Sequence, residues 1–216
     1  MMRRTKALGQ HFLTNRSILK KIIDVISPQK DELIIEIGGG RGALTFPLAE
    51  ACAKLITIEK DRILTPFLRE AKKGNLVVLE EDVLRVDFRK LLAEEPAFRG
   101  RIKLVGNLPY VISSPVLFKV LEDRDLFSSC VFMLQKEVAA RIIARPGSKA
   151  YAPLSILFQR DFEVRLCFTI APGVFSPPPK VQSALIAMNK RREPLNLVSD
   201  EERFRLFLKA AFAQRR

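Results

Sequence analysis

The chain has 216 residues, 48% of them hydrophobic, which is enough for one full α/β domain and part of a second. Lys and Arg number 37 against 24 Asp and Glu, and the formal net charge of +13 attracts polyanions such as nucleic acid. A solvated basic surface or an anionic membrane partner would also account for this charge. His11 is the one histidine, which excludes a site built on several histidines, and we expect no metal.

The cysteines and the apolar runs indicate the cellular compartment of the protein. Cys52, Cys130 and Cys167 lie far apart, without the spacing of metal ligands or redox pairs, which is typical of a reduced, intracellular protein. No apolar run is long enough to span a bilayer. The basic start, Met1–Lys6, lacks the apolar core of a targeting leader. We therefore expect a cytoplasmic protein that has no membrane partner and is a monomer.

The first half of the chain alternates between helical and strand-like patterns. Isoleucine and leucine recur at helical spacing over 18–26, and Thr14 or Asn15 can cap that helix. The predicted elements that follow are strand 33–37, a glycine-rich turn at 38–42, a helix through Leu48, strand 55–58, helix 62–72, strand 76–79, helix 88–95 and strand 102–105. This alternation predicts a parallel sheet with right-handed crossovers.

The second half continues the same alternation. It adds a helix near 114–122, the apolar strand 130–134 and a helix over 135–145 that ends before a Pro-Gly pair. Two later strands near 162–170 and 181–188 can form an antiparallel edge, because each follows a nearby partner. The predicted fold is α/β and Rossmann-like, with a mostly parallel sheet and an antiparallel edge.

The composition changes near residues 189–194, where three basic residues precede a polar stretch and a proline. We expect one domain over residues 1–190 and the beginning of a small helical domain over 191–216. Apolar residues recur there at helical spacing, at Phe204, Phe207, Leu208, Ala211 and Phe212. Such a stripe needs a packing partner, so we interpret 195–216 as the first helix of a domain that is missing or cut short. A C-terminal helix that docks on the first domain is the alternative.

The glycine-rich turn predicts a cofactor pocket, because a strand running into such a turn and then a helix lets the backbone approach a ligand. Gly38 and Gly40 lie in this turn, and Glu59 ends the next strand, roughly 20 residues on, where a carboxylate can bind ribose hydroxyls. NAD enzymes and S-adenosylmethionine methyltransferases share this layout. Asp82, which can accept from an adenine amino group, and Asn107 favour a methyltransferase. An NAD enzyme would also need an acid or base in its second half, and no histidine is available there.

The most informative feature is the tetrapeptide Asn107-Leu108-Pro109-Tyr110, which follows the apolar run 102–105. The Asn107 side chain and the Leu108 carbonyl can accept hydrogen bonds from an exocyclic amino group. Pro109 can fix the turn, and Tyr110 can stack on the attached ring. These groups are what methylation of the amino nitrogen of a base or a glutamine amide requires. A strand end followed by an ordinary proline turn is the alternative.

Five motifs resemble those of the rRNA adenine N6-dimethyltransferases, and two of the five resemble the small-subunit branch in particular. They occur in the family's order at Gly9–Leu13, Glu36–Thr45, Asn107–Tyr110, Met133–Ala139 and Phe175–Ala184. The resemblance implies dimethylation of two adjacent adenosines in a loop near the 3′ end of small-subunit rRNA during ribosome biogenesis. It also implies S-adenosylmethionine as the methyl donor and a pre-ribosomal particle as the partner.

The resemblance further implies which residues contact the cofactor, namely His11, Leu13, Gly38, Glu59, Asp82 and Asn107, with Gly40 in the same turn. His11 stands where many members have asparagine, and relatives continue past Arg216 into a helical domain that helps them dock on the particle. The large-subunit branch that confers antibiotic resistance and a non-catalytic RNA-binding assembly factor are the alternatives.

The target base must leave its stack to be methylated, and two aromatic rings can then hold it. Tyr110 is one predicted ring and Phe175 is the other, with a core phenylalanine as the alternative for Phe175. No general base is expected, because the methylated nitrogen is acidic enough to lose its proton to water. Basic side chains that can contact phosphates are Lys136, Arg141, Arg145, Arg3, Arg4 and Lys6. An amphipathic helix with solvated charges accounts for most of the pattern over 135–145.

Overall fold

The computed structural model describes residues 11–71 and 73–213. The predicted phosphate contacts of Arg3, Arg4 and Lys6, and the start of the first motif at Gly9, lie outside the described residues. The strands are β1 (Phe12–Leu13), β2 (Leu33–Ile37), β3 (Lys54–Glu59), β4 (Leu76–Glu80), β5 (Ile102–Asn107), β6 (Ser129–Gln135), β7 (Phe162–Ile170), β8 (Phe175–Ser176) and β9 (Ser183–Lys190). The helices are α1 (Arg16–Ile26), α2 (Thr45–Ala51), α3 (Leu64–Glu70), α4 (Phe88–Ala93), α5 (Ser113–Glu122), α6 (Lys136–Ile143), α7 (Pro153–Asp161) and α8 (Glu201–Ala213).

Seven strands form one sheet in the order β4-β3-β2-β5-β6-β9-β7. Parallel pairing joins the five strands from β4 to β6. β9 then runs antiparallel to both β6 and β7. The predicted Rossmann-like sheet, mostly parallel with an antiparallel edge, is confirmed. In such a sheet ligands bind outside the carboxyl ends of the parallel strands.

The central strands of the sheet are buried on both faces, as their continuous apolar character predicts. Every residue of β2 is buried. Leu33, Ile35 and Ile37 belong to the hydrophobic core on one face, whereas Ile34 belongs to the core on the other. This double burial fixes the position of β2, because a shift of one residue would send each side chain to the opposite face. The glycine-rich turn that follows β2 therefore starts from a rigid point.

A second, two-stranded sheet pairs β1 with β8 in antiparallel fashion. Its register places Phe12 opposite Ser176 and Leu13 opposite Phe175. Neither this sheet nor α7 was predicted from sequence. Two-residue strands have no periodicity of their own. The pairing is nevertheless important, since it holds the chain segment before α1 against the proline-rich segment 177–179.

Helix α8 packs on the α/β part of the molecule. Leu208 is buried in one of the two hydrophobic cores, and Phe204 and Phe212 pack against the same core. Glu201, at the first turn of α8, forms ion pairs with Arg124 and Arg160. These contacts describe how α8 is anchored. The division of the chain at residues 190 and 191 stays a prediction.

Most element boundaries agree with the predicted ones to within a few residues. Asn15 rather than Thr14 caps α1, because its Oδ1 accepts from the amides of Ser17 and Ile18 at 3.0 and 3.1 Å. β5 extends to Asn107, so this residue ends the strand instead of following it. No helix in the described part of the chain is long and apolar enough to cross a membrane.

Candidate active site

A cavity lies where the carboxyl ends of β2, β3 and β5 meet the segment before α1. Nine of the residues predicted from sequence line it together: His11, Leu13, Gly38, Gly40, Glu59, Asn107, Leu108, Pro109 and Tyr110. The cofactor turn and the Asn107–Tyr110 tetrapeptide therefore share one cavity, although roughly 70 residues of sequence separate them. This arrangement follows from the sheet, because β2 and β5 are neighbours and Ile37 pairs with Gly106.

The turn after β2 depends on glycine at several positions, and two of them are Gly38 and Gly40. Gly38 and Gly40 have positive φ angles of 79° and 53°, a region that L side chains rarely adopt. A Cβ atom at Gly40 would also lie 3.3 Å from the Phe12 ring, which packs over this turn. The two glycines thus bring bare backbone to the cavity wall, where it can approach a ligand closely.

Glu59 connects the end of β3 to this turn. Its Oε2 accepts a hydrogen bond from the Gly40 amide at 2.8 Å, and its Oε1 accepts from the Asp61 amide at 2.8 Å. Glu59 is only 4% exposed, and burial raises the pKa of its carboxyl group. The carboxylate is therefore held rigidly at the cavity, with lone pairs left to accept from ligand hydroxyl groups.

Asn107 is held from the opposite side of the cavity. Its side-chain amide donates to the backbone carbonyl of His11 at 3.0 Å. The following amide, that of Leu108, donates to the Met133 carbonyl on β6 at 3.1 Å. Because the Asn107 Nδ2 group is engaged by protein, its Oδ1 atom is the polar atom that can accept a hydrogen bond from a ligand.

The Tyr110 ring is fixed at both of its ends. Its hydroxyl group is 2.7 Å from the Ser183 Oγ, which is buried at the start of β9. Its ring lies 5.6 Å from the His11 ring, at an interplanar angle of 36°. His11 is held in turn by Pro177, whose carbonyl oxygen is 2.7 Å from Nδ1. Ser183 and Pro177 belong to the motif Phe175–Ala184, but their positioning roles were not predicted from sequence.

Two predicted site residues do not line this cavity. Asp82 forms an ion pair with Lys60 at 2.6 Å and accepts from the Leu84 amide at 3.0 Å. The Lys60 partner lowers the pKa of the Asp82 carboxyl group. Phe175 is 4% exposed and packs in the core on the Leu13 side of the sheet. A stacking role for Phe175 would therefore require its ring to leave the core.

Glu36 lines the cavity but was not predicted as a site residue. It lies within β2, is 2% exposed and accepts a hydrogen bond from the Thr45 hydroxyl at 2.6 Å. Burial raises the pKa of Glu36 to about 7, and the negative charge of Glu59 acts in the same direction. An acidic residue within an otherwise apolar strand was the signal that could have identified it.

Two of the basic residues that were predicted to contact phosphate have protein partners. Lys136 donates to the Gln182 side chain at 2.9 Å, and Arg141 forms an ion pair with Glu137 one helical turn earlier. Arg145 is exposed. Within residues 11–71 and 73–213, no group of three or more His, Cys, Asp or Glu side chains is placed to hold a metal ion.

Comparison with known proteins identifies the family. Residues 1–216 match the family described as ribosomal RNA adenine dimethylase. The chain belongs to this dimethylase family. It is 46% identical over 217 residues to the ribosomal RNA small subunit methyltransferase A of Geobacter metallireducens. The aligned region covers 100% of this chain and 78% of that protein. Membership of the dimethylase family makes this chain a methyltransferase.

Solved structures of the dimethylase family have the same fold. A dimethyladenosine transferase from Plasmodium falciparum superimposes with a TM-score of 0.83 at 30% identity, over 95% of this chain and 72% of that chain. The 23S rRNA methyltransferase ErmE superimposes with a TM-score of 0.78 at 26% identity, over 94% of this chain and 79% of that chain.

Proposed function

We propose that this chain transfers methyl groups from S-adenosylmethionine to N6 of two adjacent adenosines in a loop near the 3′ end of small-subunit rRNA. The observation that supports this proposal most directly is that the glycine-rich turn and the Asn107–Tyr110 tetrapeptide line one cavity. The small-subunit relative at 46% identity supports this substrate over large-subunit rRNA, because the 23S rRNA methyltransferase structure is only 26% identical. We further propose that the substrate is a pre-ribosomal particle in the cytoplasm and that the chain acts as a monomer.

The residues around the cavity fit S-adenosylmethionine. Glu59 offers a rigid carboxylate for the ribose hydroxyls, and Gly38 and Gly40 offer bare backbone beside it. We assign the remaining cofactor contacts to His11 and Leu13 and, from outside the cavity, to Asp82. When bound, the cofactor supplies an activated methyl group on a sulfonium centre.

Asn107 and Leu108 act on the base. The N6 lone pair of adenine is delocalised into the ring, which makes N6 a poor nucleophile. Two hydrogen bonds from the N6 protons, one to the Asn107 Oδ1 and one to the Leu108 carbonyl, favour a more tetrahedral nitrogen. Pro109 fixes the turn that aims both acceptors, so alignment supplies much of the rate enhancement. The nitrogen then loses its proton to water, and no general base is needed.

Base flipping requires stacking to offset its cost. Extruding a base costs a few kcal/mol, and stacking on one aromatic ring returns roughly 1–3 kcal/mol. Tyr110 lines the cavity and is fixed by Ser183, so it is the first ring. Phe175 stays a proposed second ring, which must move out of the core to reach the base.

The test is methylation of purified particles. Immature small subunits and large subunits are incubated with the chain and S-adenosylmethionine carrying a labelled methyl group, and the modified nucleosides are then identified. We expect label in adjacent dimethyladenosines of the small-subunit rRNA. Label in large-subunit rRNA would favour the antibiotic-resistance branch. Binding to the particle without label would favour a non-catalytic assembly factor.

A further inference from the structure

Arg41 lies within the glycine-rich turn and lines the cavity. Its guanidinium carbon lies 4.6 Å from the centroid of the Phe12 ring. The Phe12 ring also packs closely on the backbone of Gly40, where an added Cβ would lie 3.3 Å from the ring. Arg41 is thus placed by a cation–π contact, and its planar group faces the cavity that both residues line.

Arg41 is also the one permanently cationic side chain among the described residues that line the cavity. The two carboxyl groups there belong to Glu36 and Glu59, and each repels a ligand carboxylate when it is ionised. Arg41 makes no ion pair with any residue in 11–71 or 73–213, so its donors are available to a ligand.

Three backbone amides of the turn cannot donate a hydrogen bond to a ligand, because each already donates within the protein. The Gly38 amide donates to the Ile58 carbonyl at 2.8 Å, and the Gly42 amide donates to the Gly39 carbonyl at 2.9 Å. The Gly40 amide donates to Glu59 at 2.8 Å. With these three amides already used, fewer backbone donors remain for a ligand carboxylate, and a side-chain donor would offset the cost of burying that group.

We propose that Arg41 binds the carboxylate of the amino-acid part of the cofactor and thereby selects cofactors that carry it. This inference rests on the proposed use of S-adenosylmethionine. The guanidinium group donates two parallel hydrogen bonds to the carboxylate, a geometry that a lysine ammonium group cannot reproduce. Phe12 holds the Arg41 guanidinium group in place, so Phe12 is a positioning residue for this contact.

The experiment compares two ligands that differ only in the carboxylate, S-adenosylmethionine and decarboxylated S-adenosylmethionine, by calorimetry. For Arg41→Met we expect the dissociation constant of S-adenosylmethionine to rise roughly tenfold or more. The same variant should bind the decarboxylated ligand as well as the wild type does, or better, because a like charge has been removed. Arg41→Lys should retain part of the preference for the carboxylate.

Arg62→Met is the matched control, since Arg62 is 89% exposed and does not line the cavity. We expect this variant to leave both dissociation constants unchanged. Equal weakening of both ligands by Arg41→Met, or no weakening of either, would overturn the role of Arg41. If the wild-type chain bound neither ligand, the proposed cofactor itself would be wrong, so the two failures are distinguishable.

Discussion

The Asn107 side chain donates to the His11 backbone carbonyl at 3.0 Å and so ties the end of β5 to the segment before α1. This bond joins residues that are 96 positions apart and orients the Asn107 amide group. Its oxygen is thereby aimed without help from the ligand, and such preorganised hydrogen-bonding groups are the ones that stabilise a transition state most effectively. In the proposed mechanism, the His11 carbonyl therefore positions Asn107.

Asn107→Ala tests this arrangement directly. The variant loses the acceptor for an N6 proton, and we expect the methylation rate to fall roughly 100-fold or more. The rate is measured by transfer of labelled methyl groups to immature small subunits, with calorimetry of cofactor binding as the control. A variant that binds the cofactor and methylates at the wild-type rate would contradict the proposed mechanism.

The bond between Tyr110 and Ser183 gives a second prediction. Tyr110→Ala removes the stacking ring, and we expect the methylation rate to fall roughly 5- to 100-fold, in line with 1–3 kcal/mol of stacking. Tyr110→Phe keeps the ring but loses its 2.7 Å contact with Ser183. Its effect should be smaller and should equal that of Ser183→Ala.

The double variant Tyr110→Phe with Ser183→Ala is the control for that contact. Because both single changes break the same hydrogen bond, we expect the double variant to be no slower than either single one. Fully additive losses would show that the two hydroxyl groups act independently.

Phe175 calls for a test that separates activity from stability. Phe175→Leu keeps most of the buried volume, so we expect its free energy of unfolding to fall by less than about 1.5 kcal/mol. Leucine cannot stack on a base, and we expect the methylation rate to fall about tenfold, in keeping with the stacking energy of one ring. An unchanged rate would mean that Phe175 serves the core alone. Urea unfolding and the particle assay measure the two quantities.

Glu59 and Asp82 are predicted cofactor contacts with different surroundings. Glu59→Gln loses the negative charge and one of the two acceptors that Gly40 and Asp61 use, so we expect cofactor affinity to fall roughly tenfold or more. Asp82→Asn should weaken binding less, because Lys60 already holds this carboxylate outside the cavity. Calorimetry with S-adenosylhomocysteine measures the affinity of both variants. A larger loss of affinity for Asp82→Asn than for Glu59→Gln would show that Asp82 is the more important cofactor contact.

Apart from α7 and the two-residue strands β1 and β8, the order of the elements was predictable from sequence, because most strands are continuous apolar runs and most helices have clear periodicity. Adjacency in the sheet then placed Gly38 beside Asn107, since residues at the carboxyl ends of parallel strands share one edge. The β1–β8 pairing was not predictable, because two strands of two residues leave no pattern. The positioning roles of Ser183 and Pro177 were not predictable either, because they depend on contacts between residues that are distant in sequence.

The buried carboxyl group of Glu36 makes stability depend on pH. Burial raises its pKa from 4.5 to about 7 in the folded chain. Between these values the folded state keeps a proton that the unfolded state has lost, so stability falls as pH rises through this window. Below pH 4.5 the Glu36 carboxyl group is protonated in both the folded and the unfolded state. Above pH 7 it is ionised in both states, and the full free-energy cost of burying the charge lowers stability. The cost corresponds to about 3 kcal/mol at 1.36 kcal/mol per pKa unit.

Glu36→Gln removes this titration while a side-chain oxygen remains to accept the Thr45 hydroxyl hydrogen bond. We expect the unfolding free energy of the wild type to fall relative to that of the variant by up to about 3 kcal/mol between pH 4.5 and pH 7. Urea unfolding without cofactor at several pH values measures this difference. Thr45→Val is the control, since it removes the hydroxyl donor but leaves the carboxyl group to titrate. Parallel curves for wild type and Glu36→Gln across this window would mean that Glu36 ionises normally in the folded chain.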